Sequence, residues 1–277
     1  MMRALKLGYV PEHFSTPIHF AQTQGYFQKQ GLNVELVPYP SGSGHLIQSL
    51  DHGELDCAVG LTEAFVRGMA TSKAKYSIVG TYVDSPLHWA VSTGAQRGDL
   101  TSLKQLEGKR IGVSRIGSGS YVMSFVLALQ QGFNAQKPFA DFPVCHTFEQ
   151  LRKSVNDETA DAFMWEYFTT KKYYEGPQPE LKMLGSIYTP WPSWVLVRQE
   201  SLPTDQANQL AKALDEGIAY FEQNPEESVA YIETLGYSQE DAREWLNTVK
   251  FSKKCSEPLS DEVHENVLQI LRTAGVI

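Results

Sequence analysis

Cysteine is scarce in this chain: Cys57, Cys145 and Cys255 are its only three, far apart in a sequence of 277 residues. Neither a disulfide framework nor a CxxC metal pair can be assembled from them, so buried free thiols in a reducing compartment are expected. Long apolar runs are missing as well, since no stretch approaches the ~18 consecutive apolar residues of a membrane span. The chain is therefore expected to be soluble, without membrane insertion. Basic residues are in deficit, 24 Lys and Arg against 32 Asp and Glu, which leaves a formal net charge of -8. A nucleic-acid partner or an anionic membrane surface is excluded on this ground, because both need concentrated Lys and Arg to displace counterions. There is also no HExxH, no GxSxG elbow, no P-loop and no complete GxGxxG. The seven histidines lack metal-ligand spacing: His45 and His52, at i and i+7, cannot share an ion without a third partner. No catalytic residue, metal or cofactor is expected. Met1 leads almost directly into the apolar run at residues 5–10, with no room for a charged region, an apolar core and a cleavage site, so the expected location is cytoplasmic.

The composition, 42% hydrophobic and 20% charged, is that of a globular protein, and the length favours two lobes over one large α/β domain. Short apolar runs alternate with helical patterns, which predicts βα units around a largely parallel sheet. The first series has strands at 5–10, 33–38, 57–61 and 76–82, with helices at 17–30, 44–52 and 63–71. A second series has strands at 110–114, 142–145, 162–166 and 181–187, with helices at 118–131, 148–156 and 167–174. In both, an acid, a short turn, an Asp and a buried strand lead to a Glu: Glu54 to Glu63 in one, Glu158 to Glu166 in the other. This is a weak internal repeat of a half-domain. Segments 84–93 and 188–198 carry Pro86, Pro190 and Pro192 and suit connections that cross between lobes. The remainder reads as helical, with Thr204, Ser238 and Ser260 as N-caps and Pro225 opening a helix. Those helices are expected to return to the first lobe, a separate helical domain being the alternative. The expected division is residues 1–88 with 193–277 as one lobe and 89–192 as the other.

In open α/β sheets ligands bind beyond the carboxyl ends of the strands, where loops converge and helix N-termini expose unpaired amides. That selects Glu12, His13 and Ser15 after the first strand, Ser41-Gly42-Ser43-Gly44 after the second, and Thr62 and Glu63 after the third. The second lobe contributes Ser114, Gly117-Ser118-Gly119-Ser120, Trp165 and Glu166, and the first crossing contributes His88. The two Gly/Ser loops combine close backbone approach, hydroxyl donors and a following helix dipole, so each can hold a carboxylate, sulfonate or phosphate, or can simply be a turn with an N-cap. Glu63 and Glu166, at matched strand ends, either accept from an amine or ring nitrogen or cap a helix. His13 and His88 are ligand contacts or half-buried loop histidines. Trp89, Trp165, Trp191 and Trp194 gather at the crossings and one strand end, where they stack on a flat ligand or pack a hinge.

Several words of the sequence resemble the type II periplasmic-binding-protein superfamily. They are Leu7-Gly8-Tyr9, Gly25-Tyr26-Phe27 followed by Gly31-Leu32-Asn33-Val34-Glu35-Leu36, Gly53-Glu54-Leu55-Asp56-Cys57-Ala58-Val59, and Leu103 through Gly108-Lys109-Arg110-Ile111-Gly112-Val113. The likeness is to the branch of sulfonate, taurine and thiamine-precursor binding proteins and the fungal thiamine-pyrimidine synthases, and it covers about the first 200 residues in order. It implies a two-lobed α/β fold with a ligand cleft between lobes and a helical C-terminus. It implies a non-catalytic binder or sensor that closes over a small ligand, polar or zwitterionic, with a thiamine-precursor-like heterocycle among the candidates; its transporter or signalling partner is unknown. Two alternatives follow from the same resemblance. One is a synthase-like enzyme using His13 or His88, although three isolated cysteines do not match the synthases' Cys-rich iron motif. The other is the solute-binding component of an ABC transporter, although the exported binders carry a leader.

Overall fold

The computed structural model describes residues 3–277 as two mixed sheets flanked by helices. The first sheet contains β1 (Leu5–Tyr9), β2 (Val34–Pro38), β3 (Cys57–Leu61), β4 (Tyr76–Val83) and β9 (Trp194–Gln199), in the order β2-β1-β3-β9-β4. The second contains β5 (His88–Gly94), β6 (Ile111–Gly112), β7 (Ala162–Glu166) and β8 (Leu181–Tyr188), in the order β6-β7-β5-β8. The chain leaves the first sheet after β4 and returns to it as β9. The repeat noted in the sequence is structural: α3 (Ser43–Asp51), β3 and α4 (Thr62–Thr71) correspond to α6 (Phe148–Asn156), β7 and α7 (Tyr167–Lys171).

Four expectations need correction. The sheets are not largely parallel. Segments 84–93 and 188–198 are not plain connections but contain β5 and β9, each of which pairs antiparallel with both of its neighbours in the middle of a sheet. Pro86, Pro190 and Pro192 drew those segments toward loops, yet they stand ahead of the strands, where no ladder N–H is required. No strand forms at 142–145, because Pro143 cannot donate to a ladder; only the bridges Arg110↔Asp141 and Val113↔Val144 remain. The helix expected over 17–30 divides at Gly25, whose φ of 75° places it in the left-handed region, into α1 (Thr16–Thr23) and α2 (Tyr26–Lys29).

The C-terminal helices follow their caps: Ser238 and Ser260 accept from the third residue on, and Pro225 opens α9 (Pro225–Thr234). Thr204 is the first residue of α8 (Thr204–Gln223), with Pro203 ahead of it. α8 buries Leu210, Leu214 and Ile218 against α1 and β4. These helices do not stay with the first sheet alone. α11 (Asp261–Thr273) packs on both α4 and α5 (Gly119–Gln131), and from α10 (Gln239–Leu246) Asp241 and Glu244 pair with Lys171 of α7 at 2.5 and 3.0 Å. No helix among the described residues is long and apolar enough to cross a membrane.

At Gly80 of β4 an added Cβ would collide with the carbonyl oxygens of Cys255 and Glu257, both backbone atoms that cannot rotate away. Gly80→Ala should therefore cost about 1–3 kcal/mol through overpacking. Thermal melts should show the midpoint falling by several degrees, and an unchanged midpoint would contradict this packing.

Candidate functional site

The carboxyl ends of β1, β3 and β7, with the N-termini of α3 and α5, converge on one cavity between the sheets. Its volume is only about 30 Å³, which is room for roughly two waters. Nine of the residues selected from the sequence line it: Glu12, Gly42, Ser43, Ser114, Ser118, Gly119, Ser120, Trp165 and Glu166. Apolar walls come from Val10, Leu61, Leu87, Trp89 and Trp194.

One end of the cavity is built of uncharged donors. Gly42, at φ 81°, sits at the N-cap of α3 without a side-chain cap, and Ser118 caps α5 by accepting from Tyr121 N. These two helix starts, one from each sheet's side, face each other so closely that a Cβ on Gly44 would lie 3.4 Å from Ser118 Cβ. Each start carries roughly half a positive charge, so their apposition is repulsive unless negative charge lies between them. Ser118 and Ser120 hydroxyls lie 3.0 Å apart, and Ser120 Oγ accepts from Ser114 N at 3.3 Å. The indole N–H groups of Trp89 and Trp194 are buried without a partner among the described residues, and both rings are wall residues. Arg115 stands behind this end and donates to Ser41 O at 3.3 Å.

The other end holds two acids in different states. Glu12 is half-buried as a residue, but its carboxyl is enclosed; burial and the neighbouring Glu166 push it up to about 8, against a lowering by the Trp165 indole. Trp165 Nε1 donates to Glu12 Oε1 at 3.0 Å across the cleft. Glu166 goes the opposite way. Burial raises it, but the His13 imidazole, whose Nε2 is 3.6 Å from Oε1, and the amides of α7 outweigh burial and hold the carboxyl below its ordinary value. Glu166 Oε2 accepts from Thr169 N at 2.7 Å, so this residue both caps α7 and lines the cavity.

The other selected residues lie around the cavity rather than on its wall. His13 is 1% exposed, boxed by Phe14, Phe168, Tyr237 and Trp245, with neither ring nitrogen hydrogen-bonded. Ser15 donates to Val10 O, Thr62 to Pro192 O, and Ser41 shares a bond with His45 Nδ1, so these hydroxyls hold backbone and loops. Glu63 is fully buried and is pushed up to about 7 by burial, against its own backbone N–H and the Trp191 indole; Trp191 Nε1 donates to Oε2 at 2.9 Å. Gly44 abuts Ser118, and Gly117, at φ 86°, abuts Arg67. His88 is stacked between Tyr167 and Tyr188, with both ring centroids 4.4 Å away. Sequence reasoning missed Val10 and Leu61, at or just past strand ends, and Leu87, just ahead of β5, all apolar residues that carry no polar signal, and it did not foresee that Tyr237 and Trp245 enclose His13.

A family model described as Ca3427-like PBP matches residues 89–187, and one described as the NMT1-like family matches residues 2–99. The structure of the Candida albicans CA3427 gene product, described as defining a new family with the generic periplasmic binding protein fold, is 46% identical, with TM-score 0.93, over 100% of this chain and 91% of that one. Two more distant structures share the fold. The alkanesulfonate-binding protein SsuA of Xanthomonas axonopodis pv. citri, bound to MOPS, is 15% identical with TM-score 0.78 over 99% and 93% of the two chains. PhnD1 of Prochlorococcus marinus, in complex with methylphosphonate, is 15% identical with TM-score 0.65 over 99% of each. No curated protein sequence matches.

The raised carboxyls have a stability consequence. Above about pH 5 an unfolded Glu12 or Glu63 has released its proton, whereas the folded groups keep theirs up to about 8 and about 7, so stability falls as pH rises through that window. Glu166, with its lowered value, works the other way: its contribution is present above the unfolded value and is lost as pH falls through the folded one. Thermal midpoints measured from pH 5 to about 9 should show a decline that Glu12→Gln and Glu63→Gln each reduce. A decline of undiminished slope in the double variant would contradict this assignment.

Proposed function

This chain belongs to the family that the Candida albicans CA3427 gene product defines, and we propose that it binds one small polar ligand with an anionic head, closing two lobes over it without turning it over. The observation that carries this reading is the meeting of the α3 and α5 N-termini, with the Ser43, Ser118 and Ser120 hydroxyls on the same cavity wall. Amides and hydroxyls line that end, no Lys or Arg lines the cavity among the described residues, and Glu63 Oε1 lies unpartnered beside Gly119; with Glu63 in its protonated form, this suits an oxyanion stripped of water. The neighbours whose descriptions name an alkanesulfonate-binding protein and a methylphosphonate complex support a sulfonate or phosphonate head.

At the opposite end Glu166 is an acceptor and the protonated Glu12 both donates and accepts, so a second group with N–H donors, an amine or a ring nitrogen, fits there. The indole walls of Trp89, Trp165 and Trp194 favour a flat body between the two ends, which keeps a heterocycle of the thiamine-precursor kind within the reading. A cytoplasmic sensor, as against a transporter-linked binder, is part of the proposal; three free cysteines support a reducing compartment.

The test uses titration calorimetry with methanesulfonate, methylphosphonate, zwitterionic taurine and neutral dimethyl sulfone. The anions should bind and the sulfone should not; equal affinities would overturn the oxyanion site. Glu166→Gln should weaken taurine by roughly 1–3 kcal/mol, the cost of losing a charged hydrogen bond, while sparing methanesulfonate. Unchanged taurine binding would remove Glu166 from the site. Closure is tested separately. With ligand, the radius of gyration from small-angle scattering should shrink, and hydrogen exchange should slow at residues 41–44 and 117–121 together, because only a ligand touching both lobes favours the closed state. Protection of one loop alone would contradict a shared cleft.

A further inference from the structure

A second cavity, of about 270 Å³, opens at the hinge, where the crossing before β5, the ends of β7 and β8 and the C-terminal helix α10 meet. Tyr188 and half-buried Tyr167 supply its open aromatic surface, the nearly buried Phe14, Phe168 and Trp245 touch it from the core, and the charged side chains on its wall are Glu166 and Glu244, with no Lys or Arg among the described residues. Tyr188 is 56% exposed and is backed by His88, whose ring lies only 10° from parallel with it; His88 is in turn stacked on Tyr167. This stack fixes Tyr188 in place without drawing on its outer surface. Lys171 lies behind the wall, where its ammonium is shared between Asp241 and Glu244. With Glu166, which His13 faces at 3.6 Å, three carboxylates stand against one ammonium and one imidazole, so negative charge is left over beside the aromatic side chains.

An aromatic enclosure with surplus carboxylate attracts a positive charge on a poorly hydrated body, since ring faces carry negative potential and the cation loses little solvation there. An anion is repelled by the same wall, and a neutral apolar molecule would gain from the rings but not from the acids. We propose that the hinge cavity is a second ligand site, distinct from the cleft, that takes a small organic ammonium ion such as an N-methylated amine. Its volume is just below the usual lower limit of small-molecule pockets, about 300 Å³, which suits a compact cation. Glu166 forms part of both walls, facing the cleft and the hinge cavity, so the two sites meet at one carboxylate.

Choline and its neutral isostere 3,3-dimethylbutanol are the probes, titrated into the full-length protein by calorimetry and followed by NMR at the Trp245 indole N–H. Choline should bind at least about tenfold more tightly than the isostere and shift the Trp245 resonance. Tyr188→Leu should weaken choline about tenfold while leaving methanesulfonate affinity as it was, and Glu244→Gln should weaken choline several-fold. Ser120→Val, at the oxyanion end of the cleft, should leave choline affinity intact. No choline binding at millimolar concentration, equal affinity for the isostere, or choline binding that Tyr188→Leu leaves unchanged would each overturn the proposal. Loss of anion binding alone would bear on the cleft and not on this site.

Discussion

A buried, ionised carboxylate at the junction of the two sheets is the constraint around which this molecule is arranged. Glu166 ends β7, caps α7, faces His13 from the other sheet's side and forms part of two cavity walls. Taking such a group out of water costs several kcal/mol unless charge and donors surround it. Here the compensation comes from the Thr169 amide at 2.7 Å, the start of α7 and the His13 ring at 3.6 Å. His13 is itself held by Phe14, Phe168, Tyr237 and Trp245, so the loop after β1, the turn into α7 and the start of α10 are all organised around the same acid. A fold that keeps this group ionised must keep those elements together.

The three acids near the cleft differ only in what surrounds them. Glu166 has amides and an imidazole and remains charged. Glu12 has one indole donor and a negative neighbour and keeps its proton at neutral pH; Glu63 has the Trp191 indole and its own amide and titrates near neutrality. This division lets one end of a small cavity present both an acceptor and a donor. The wall at the opposite end carries amides and hydroxyls, whose hydrogen-bonding capacity does not change over the pH range in which a histidine or a carboxylate titrates.

Much of this was readable in the residues, and the failures have local causes. The Gly42-Ser43 and Ser118-Gly119-Ser120 loops could be selected because small and hydroxylic residues ahead of an apolar helical pattern have few purposes. The ordered words from Leu7 to Val113 pointed to the two-lobed fold, whose neighbours now include a relative 46% identical. The strands β5 and β9 were hidden by their prolines, although Trp89-Ala90-Val91 and Trp194-Val195-Leu196-Val197 are typical strand runs. Glu63 illustrates the limit of symmetry: its place in the repeat matches Glu166, but the Trp191 indole from the returning crossing takes one carboxyl oxygen and the other lies behind Gly119 without a partner among the described residues. No periodicity in the sequence encodes such a contact over 128 positions.

The tight cleft also governs how fast anything can enter it. With about 30 Å³ of space behind the Trp165–Glu12 hydrogen bond and the Arg115–Ser41 contact, no solute of several heavy atoms reaches the α5 N-terminus unless those links part. α11, lying on both α4 and α5, must yield at the same time. Entry therefore belongs to the open form and departure waits on a parting of the lobes once they have closed, so the dissociation rate would be set by reopening rather than by the solute's own contacts. Such a protein would respond slowly to sudden changes in its ligand, averaging a fluctuating supply over the lifetime of its closed form.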